Sequence, residues 1–91
     1  KRAGDAWYEL GTAYEELGRD DRAIDAFTHA LASPEPLAVF AFARGQAYFH
    51  RGDYANARRD LTAFLADPNA KSHDWQIEAA RQLLARAGNR R

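Results

Sequence analysis

The 91-residue chain contains no cysteine and no methionine, and its positive and negative charges cancel at 13 each. The missing cysteines exclude disulfide bonds and thiolate metal sites, although they do not fix the cellular compartment. A net charge of zero gives no argument for nucleic acid or membrane surfaces as partners. The longest apolar run, Leu37 to Ala43, has seven residues, whereas a membrane-spanning helix needs about 20. We therefore expect no nucleic acid partner and no membrane insertion.

The chain is also short, and 91 residues form one small domain. Such a domain buries only about 60% of the surface of its unfolded chain. No signal peptide is visible, and residue 1 is not methionine. We expect a piece of a longer protein, or a processed one. The compartment stays open, with a soluble, cytoplasmic location favoured over an exported one.

The sequence contains an internal repeat with a period of 34 residues. Five of the matching pairs are Gly11 with Gly45, Tyr14 with Tyr48, Gly18 with Gly52, Ala23 with Ala57, and Pro34 with Pro68. Gly18 and Gly52 follow helical stretches, where a left-handed glycine commonly ends a helix. The prolines close the second helix of each unit because proline lacks the N–H that would continue it.

Each unit therefore reads as a helix, a short turn and a second helix. Gly11 and Gly45 allow a neighbouring helix to approach closely, and larger residues around them fill the gaps. One such hairpin cannot bury its own apolar stripe, whereas stacked neighbours can. The pattern predicts helices near residues 5–17, 21–32, 37–50, 54–66 and 73–87.

The spacing within the units resembles the tetratricopeptide repeat (TPR) family over roughly residues 4–87. The family pattern is W-x2-L-G-x2-Y, followed by A-x3-F-x2-A, whose first alanine lies nine residues after the tyrosine. The first unit carries seven of these positions: Trp7, Leu10, Gly11, Tyr14, Ala23, Phe27 and Ala30. The second unit keeps glycine, tyrosine and alanine in exact spacing but departs from the pattern at Ala41, Arg44, Leu61 and Phe64.

The resemblance implies an all-α fold, an antiparallel helix-turn-helix solenoid of about two TPR units with a further C-terminal helix. The first repeat is assigned to residues 4–37 and the second to residues 38–71. Residues 72–88 are either a C-terminal capping helix or the first helix of a third repeat. We favour the cap because solenoid ends need covering. Trp75, Leu83 and Leu84 are then expected to cover the surface of residues 54–66.

No enzyme signature is present, since the chain lacks HExxH, a nucleophile motif and a glycine-rich phosphate loop. Asp20 and Asp21 are interpreted as a helix N-cap with favourable charge rather than as metal ligands. A calcium loop would need several more oxygen ligands. The sequence predicts a non-catalytic protein without metal or cofactor.

In TPR proteins the first helix of every repeat lines a concave surface that holds peptides or helices, and the resemblance places a partner-binding groove here. Its candidate residues are Tyr8, Thr12, Val39, Phe42, Gln46, Phe49 and His50. The second repeat then has two apolar faces, and a large exposed apolar face usually marks an interaction surface. The alternative is that the last helix, or a missing third repeat, covers Phe42 and Phe49.

The predicted function is a protein-protein interaction scaffold that binds a peptide or helix of a partner protein. One alternative is a self-assembly module that joins copies of the chain. Its basis is the exposed end of the helix array together with uneven charge. Residues 1–37 carry four Lys/Arg against eight Asp/Glu, and residues 38–91 carry nine against five. The net charges of these parts are −4 and +4. The other alternative is a regulatory segment of a larger enzyme.

Overall fold

The computed structural model describes residues 3–72 and 74–89, with side chains described except at 71 and 72. Within these ranges the chain forms five α-helices and one short 3-10 helix. They are α1 (Ala3–Glu16), α2 (Asp20–Leu31), α3 (Ala38–Arg51), α4 (Tyr54–Ala66), the 3-10 helix (Pro68–Ser72) and α5 (Asp74–Gly88). The predicted all-α fold and its helices are confirmed, with ends shifted by at most two residues. The 3-10 helix was not predicted.

Glycines in the left-handed conformation end the first helix of each repeat, as the sequence predicts. Gly18 has a φ of 75° and Gly52 a φ of 89°. The amide of the next residue then donates back across the turn, from Arg19 to the Tyr14 carbonyl and from Asp53 to the Tyr48 carbonyl, at 2.9 Å each. These two bonds satisfy carbonyl groups that the helix ends leave free.

The residue that caps the second helix of the first repeat differs from the prediction. The N-cap of α2 is Arg19, which makes no side-chain capping bond, so the expected capping by Asp20 and Asp21 is wrong. Both aspartates lie instead in the first turn, where negative charge is favourable. In the second repeat Asp53 does cap α4 by accepting from the Asn56 amide at 3.3 Å. Hydrogen bonds from Asn56 lower the pKa of Asp53.

Close helix approach at two glycines is confirmed. A Cβ atom on Gly11 would lie 2.5 Å from the ring of Phe27, and one on Gly45 would lie 2.9 Å from the Leu61 side chain. Phe27 and Leu61 are completely buried and belong to the second helices of the two repeats. A side chain at either glycine would therefore push the two helices of its repeat apart.

Two clusters of buried side chains join the helices in chain order. One contains Ile24, Phe27 and Ala47 and connects α2 with α3, with tyrosines of α1 packed against it. The other connects α3, α4 and α5, and its larger members are Phe42, Phe49, Leu61, Phe64 and Leu83. Helix α5 therefore covers the exposed end of the second repeat.

The side chains by which α5 covers that end are partly those predicted. Leu83 is buried and Leu84 packs partly buried against the same cluster. Trp75 is 70% exposed, so its expected place over α4 is wrong. The burial of α5 follows Gln76, Ala80, Leu83 and Ala87, a helical stripe that leaves Trp75 to one side. Among the described residues, no helix is both long and apolar enough to cross a membrane.

Candidate functional site

The first helices of successive repeats lie side by side and form one continuous surface. The ring of Tyr8 in α1 lies 5.3 Å from the ring of Phe40 in α3, between centroids. At the other end of these helices, His50 Nδ1 is 3.4 Å from a carboxylate oxygen of Glu15. The ring of Phe42 in α3 lies 6.1 Å from that of Trp75 in α5. We call the surface formed by α1, α3 and α5 the concave surface, after the surface that the sequence resemblance predicts for the first helices of the repeats.

On α1, both predicted groove residues lie half-buried. Tyr8 packs against the buried cluster between α2 and α3, and its ring centroid is 5.9 Å from that of Phe27. The hydroxyl of Thr12 donates to the Tyr8 carbonyl at 2.9 Å. Its donor is therefore used within the helix, and its oxygen can still accept a hydrogen bond.

On α3, Val39 and Gln46 are half-buried and His50 is exposed. The amide of Gln46 forms no hydrogen bond with the part of the chain that the structure describes. It can therefore donate to and accept from the backbone of a bound segment. These three positions keep the accessibility that the sequence analysis expects of groove residues, and their role in binding stays a prediction.

The predicted groove residues Phe42 and Phe49 are instead buried in the core. They are only 3% and 7% exposed, and both belong to the cluster that α5 closes. Their rings also contact α4 and its surroundings, with Phe42 5.3 Å from Phe64 and Phe49 5.2 Å from Tyr54. The expectation of two open aromatic anchors is wrong, and the alternative that the last helix covers them is confirmed. Sequence periodicity identified the second apolar face but could not show its neighbour.

A cluster of titratable groups lies where α1, α2 and α3 meet. One ligand atom each from Glu15, Asp20 and His50 can be chosen so that all lie within 4.8 Å of one another. Burial raises the pKa of Glu15, while His50 opposes that rise. Geometrically these groups could hold a cation, and His50 lies within ion-pair distance of Glu15, although the buried Oε2 of that carboxylate accepts no hydrogen bond from the described residues. The predicted absence of metal stays a prediction.

The charge asymmetry of the sequence is partly used inside the molecule. Arg51 of α3 contacts Asp21 of α2 through an Nε–Oδ1 distance of 2.7 Å, so an acidic first repeat meets a basic second one. Arg44, which departs from the leucine of the family pattern, binds both oxygens of Asp60 at 2.7 and 2.8 Å. Asp60 is 5% exposed. Such a buried carboxylate needs a partner, and this need is the signal that could have predicted the pair.

Helix α1, at the end of the molecule opposite α5, carries an exposed apolar face, which we call the N-terminal face. It consists of Trp7, Leu10 and Leu17, which are 39%, 42% and 70% exposed. Trp7 stacks on His29 at 4.2 Å between ring centroids. Thirty-four residues later the same positions are Ala41, Arg44 and Arg51. There Arg44 and Arg51 contact α2, at Thr28 and Asp21.

The two stacked helix pairs, followed by a further helix, define a helical-repeat protein. Two sequence profiles, each described as tetratricopeptide repeat, match residues 4–33 and 41–70, and the chain belongs to this family. TPR repeats generally mediate protein-protein interaction and are typically non-catalytic. Comparison with curated protein sequences finds no significant match.

Proposed function

We propose that this chain is a non-catalytic scaffold whose concave surface binds a segment of a partner protein. The observation that carries the proposal is the row of accessible groups along α1 and α3, namely Tyr8, Thr12, Val39, Gln46 and His50. They lie on two adjacent first helices, which contact each other through the rings of Tyr8 and Phe40 and through the Glu15–His50 pair. Family membership supports a protein as the partner.

The arrangement favours a segment bound by both polar and apolar contacts, because α5 covers two of the aromatic rings expected there and leaves polar groups accessible beside smaller apolar ones. The amide of Gln46, which has no hydrogen-bond partner in residues 3–72 and 74–89, lies near the middle of α3 and can bond to the backbone of an extended or helical segment. Val39 and Tyr8 supply apolar contact area nearer the start of each helix. Aromatic residues such as tyrosine often contribute most at an interface centre.

The test uses short random peptides displayed on phage and selected on the folded chain. Peptides that bind the concave surface should lose affinity at least about tenfold when Gln46→Lys places a long charged side chain there, a loss of about 1.4 kcal/mol. Thr62→Lys is the matched control, because Thr62 is exposed on the second helix of the same repeat. Equal loss in both variants, or binders that ignore Gln46→Lys, would contradict the proposal.

Self-assembly is a second candidate, favoured by the N-terminal face. Trp7, Leu10 and Leu17 form an exposed apolar patch at positions where the second repeat contacts a neighbouring helix. A second copy of the chain would remove this patch from water. Light scattering across a range of concentrations should then show dimers that Leu10→Lys abolishes. A monomer at every concentration would rule this candidate out.

A further inference from the structure

The concave surface has a part that the sequence did not indicate, along α5. Trp75 is the most exposed aromatic ring in the described residues, tied with Leu17 as the most exposed large apolar side chain at 70%. Its ring stands edge-on to the buried ring of Phe42 at 6.1 Å and an interplanar angle of 82°. The contact places part of the indole beside the buried Phe42 ring, and most of the Trp75 side chain faces solvent.

Arg86 lies on the same side of α5, three turns further on. Eleven residues at about 100° each bring the helix back to within about 20° of its starting direction, so Trp75 and Arg86 share one face. The guanidinium carbon of Arg86 lies 5.0 Å from the centroid of the Phe49 ring. Phe42 and Phe49 thus form a buried floor with one accessible side chain beside each.

The guanidinium of Arg86 has no carboxylate partner among the described residues. The guanidinium lies over the Phe49 ring, and its N–H groups can form a bidentate bond to a carboxylate. The charge of this part of the chain agrees with the same preference, since residues 38–91 carry a net charge of +4.

We infer that Trp75 and Arg86 form a two-point recognition site for a partner segment that carries an apolar anchor and an acidic residue. The inference rests on the proposed function and names the chemistry of its partner. The two groups are about 16 Å apart along the helix axis. An extended segment spans that distance with about five residues, and a helical segment lying parallel to α5 needs about eleven. Tryptophan and arginine are also the residue types most enriched at interface hot spots.

The experiment repeats the peptide selection on three baits: the unchanged chain, Arg86→Glu and Arg81→Glu. Arg81 is the matched control because it is exposed on the same helix but lines a different cavity, with Leu65 and Ile77. The unchanged chain and Arg81→Glu should enrich peptides that pair an aromatic or aliphatic residue with Asp or Glu. Arg86→Glu should instead enrich Lys or Arg at the acidic position.

Synthetic versions of the enriched peptides then measure the contribution of each point. Trp75→Ala should weaken them about thirtyfold, as expected for an aromatic hot spot. Arg86→Gln should weaken them up to about fivefold, the effect of an exposed ion pair. Because the chain has two tryptophans, a Trp7→Phe background makes Trp75 the only one. Its emission should shift to shorter wavelength on binding.

The outcomes separate this inference from the proposed function. Binders that lack acidic residues, or that are insensitive to both Trp75→Ala and Arg86→Gln, overturn the two-point site. If those binders still respond to Gln46→Lys, the concave surface remains the binding site. A selection that enriches no peptide on the unchanged chain contradicts both. Melting curves of each variant provide the folding control, and a melting temperature close to that of the unchanged chain is expected because both side chains are exposed.

Discussion

Individual side chains decide which parts of the second apolar face on α3 are available to a partner. Phe42 and Phe49 have the spacing of groove residues, yet their rings are in the core under α5. Val39 and Gln46, on the same helical face, stay half-buried. Neighbouring positions on one face therefore divide between the core and the accessible surface that we propose for recognition.

Phe42→Ala tests this division. Its ring contacts Phe64 and is 3% exposed, so truncation should cost about 3–5 kcal/mol of unfolding free energy in urea denaturation. Trp75→Ala is the control. It removes the exposed ring that lies beside Phe42, and it should cost far less unfolding free energy. An almost unchanged stability of Phe42→Ala would return the ring to the groove.

Glu15 provides a pH-dependent test at the same scale. Burial raises its pKa above the ordinary value of 4.5, so the folded chain holds this proton more tightly than the unfolded chain. The contribution of Glu15 to stability therefore falls as pH rises through the window above 4.5. Glu15→Gln should melt close to the unchanged chain at pH near 4 and at a higher temperature at pH near 7.

The exposed neighbour Glu16→Gln serves as the control and should show no such growing difference. A lower melting temperature of Glu15→Gln at neutral pH would contradict the account. It would mean that the contact with His50 outweighs the cost of burying the carboxylate.

At the scale of elements, α5 makes two contributions. One side of it closes the core with Ala80, Leu83 and Ala87. The other side presents Trp75 and Arg86 beside α3. The helix is therefore both the cover of the second repeat and a wall of the proposed binding surface.

Deleting residues 72–91 should unfold the second repeat or cause aggregation. The deletion would expose Phe42, Leu61 and Phe64, which are almost completely buried in the intact chain. Burial of each such side chain contributes about 1.5–3 kcal/mol, and a small domain has only about 5–15 kcal/mol in total. Circular dichroism melting and ultracentrifugation measure the outcome. A monomeric truncated chain with an unchanged melting temperature would show that α5 is dispensable.

Over the whole molecule, the sequence predicted the helices and their repeat well because the signals are local. The helix ends at Gly18 and Gly52 depend only on residues within one repeat. The same holds for the close approach of the paired helices at Gly11 and Gly45. The site was predicted only in part, because accessibility depends on packing between repeats. The capping role of residues 72–88 predicts that Trp75 covers α4, and no local pattern reveals that α5 turns this side chain outward. The repeat boundaries at residues 4–37 and 38–71 stay predictions. So does the choice between a capping helix and the first helix of a third repeat for residues 72–88.

The same view of the whole surface predicts that the chain does not bind the C-terminal tails of heat-shock chaperones. Some TPR proteins grip such tails with a clamp of Lys, Asn, Asn, Lys and Arg. The matching positions here are Tyr8, Thr12, Ala43, His73 and Ile77. In a shifted register of the tail the last two become Trp75 and Ala79, and none of these residues is a lysine or an arginine. Ala43 is also buried, and His73 lies outside the described residues. A micromolar dissociation constant in calorimetry would refute this prediction.

The most direct test of the central claim, that the concave surface binds a protein segment, is amide chemical-shift mapping by NMR. The isotope-labelled chain is titrated with a synthetic peptide obtained by the selection on the unchanged chain. The account predicts the largest shifts on α1, α3 and α5, including Thr12, Gln46 and Trp75. Shifts confined to the exposed sides of α2 and α4, around residues such as Thr62, would contradict it.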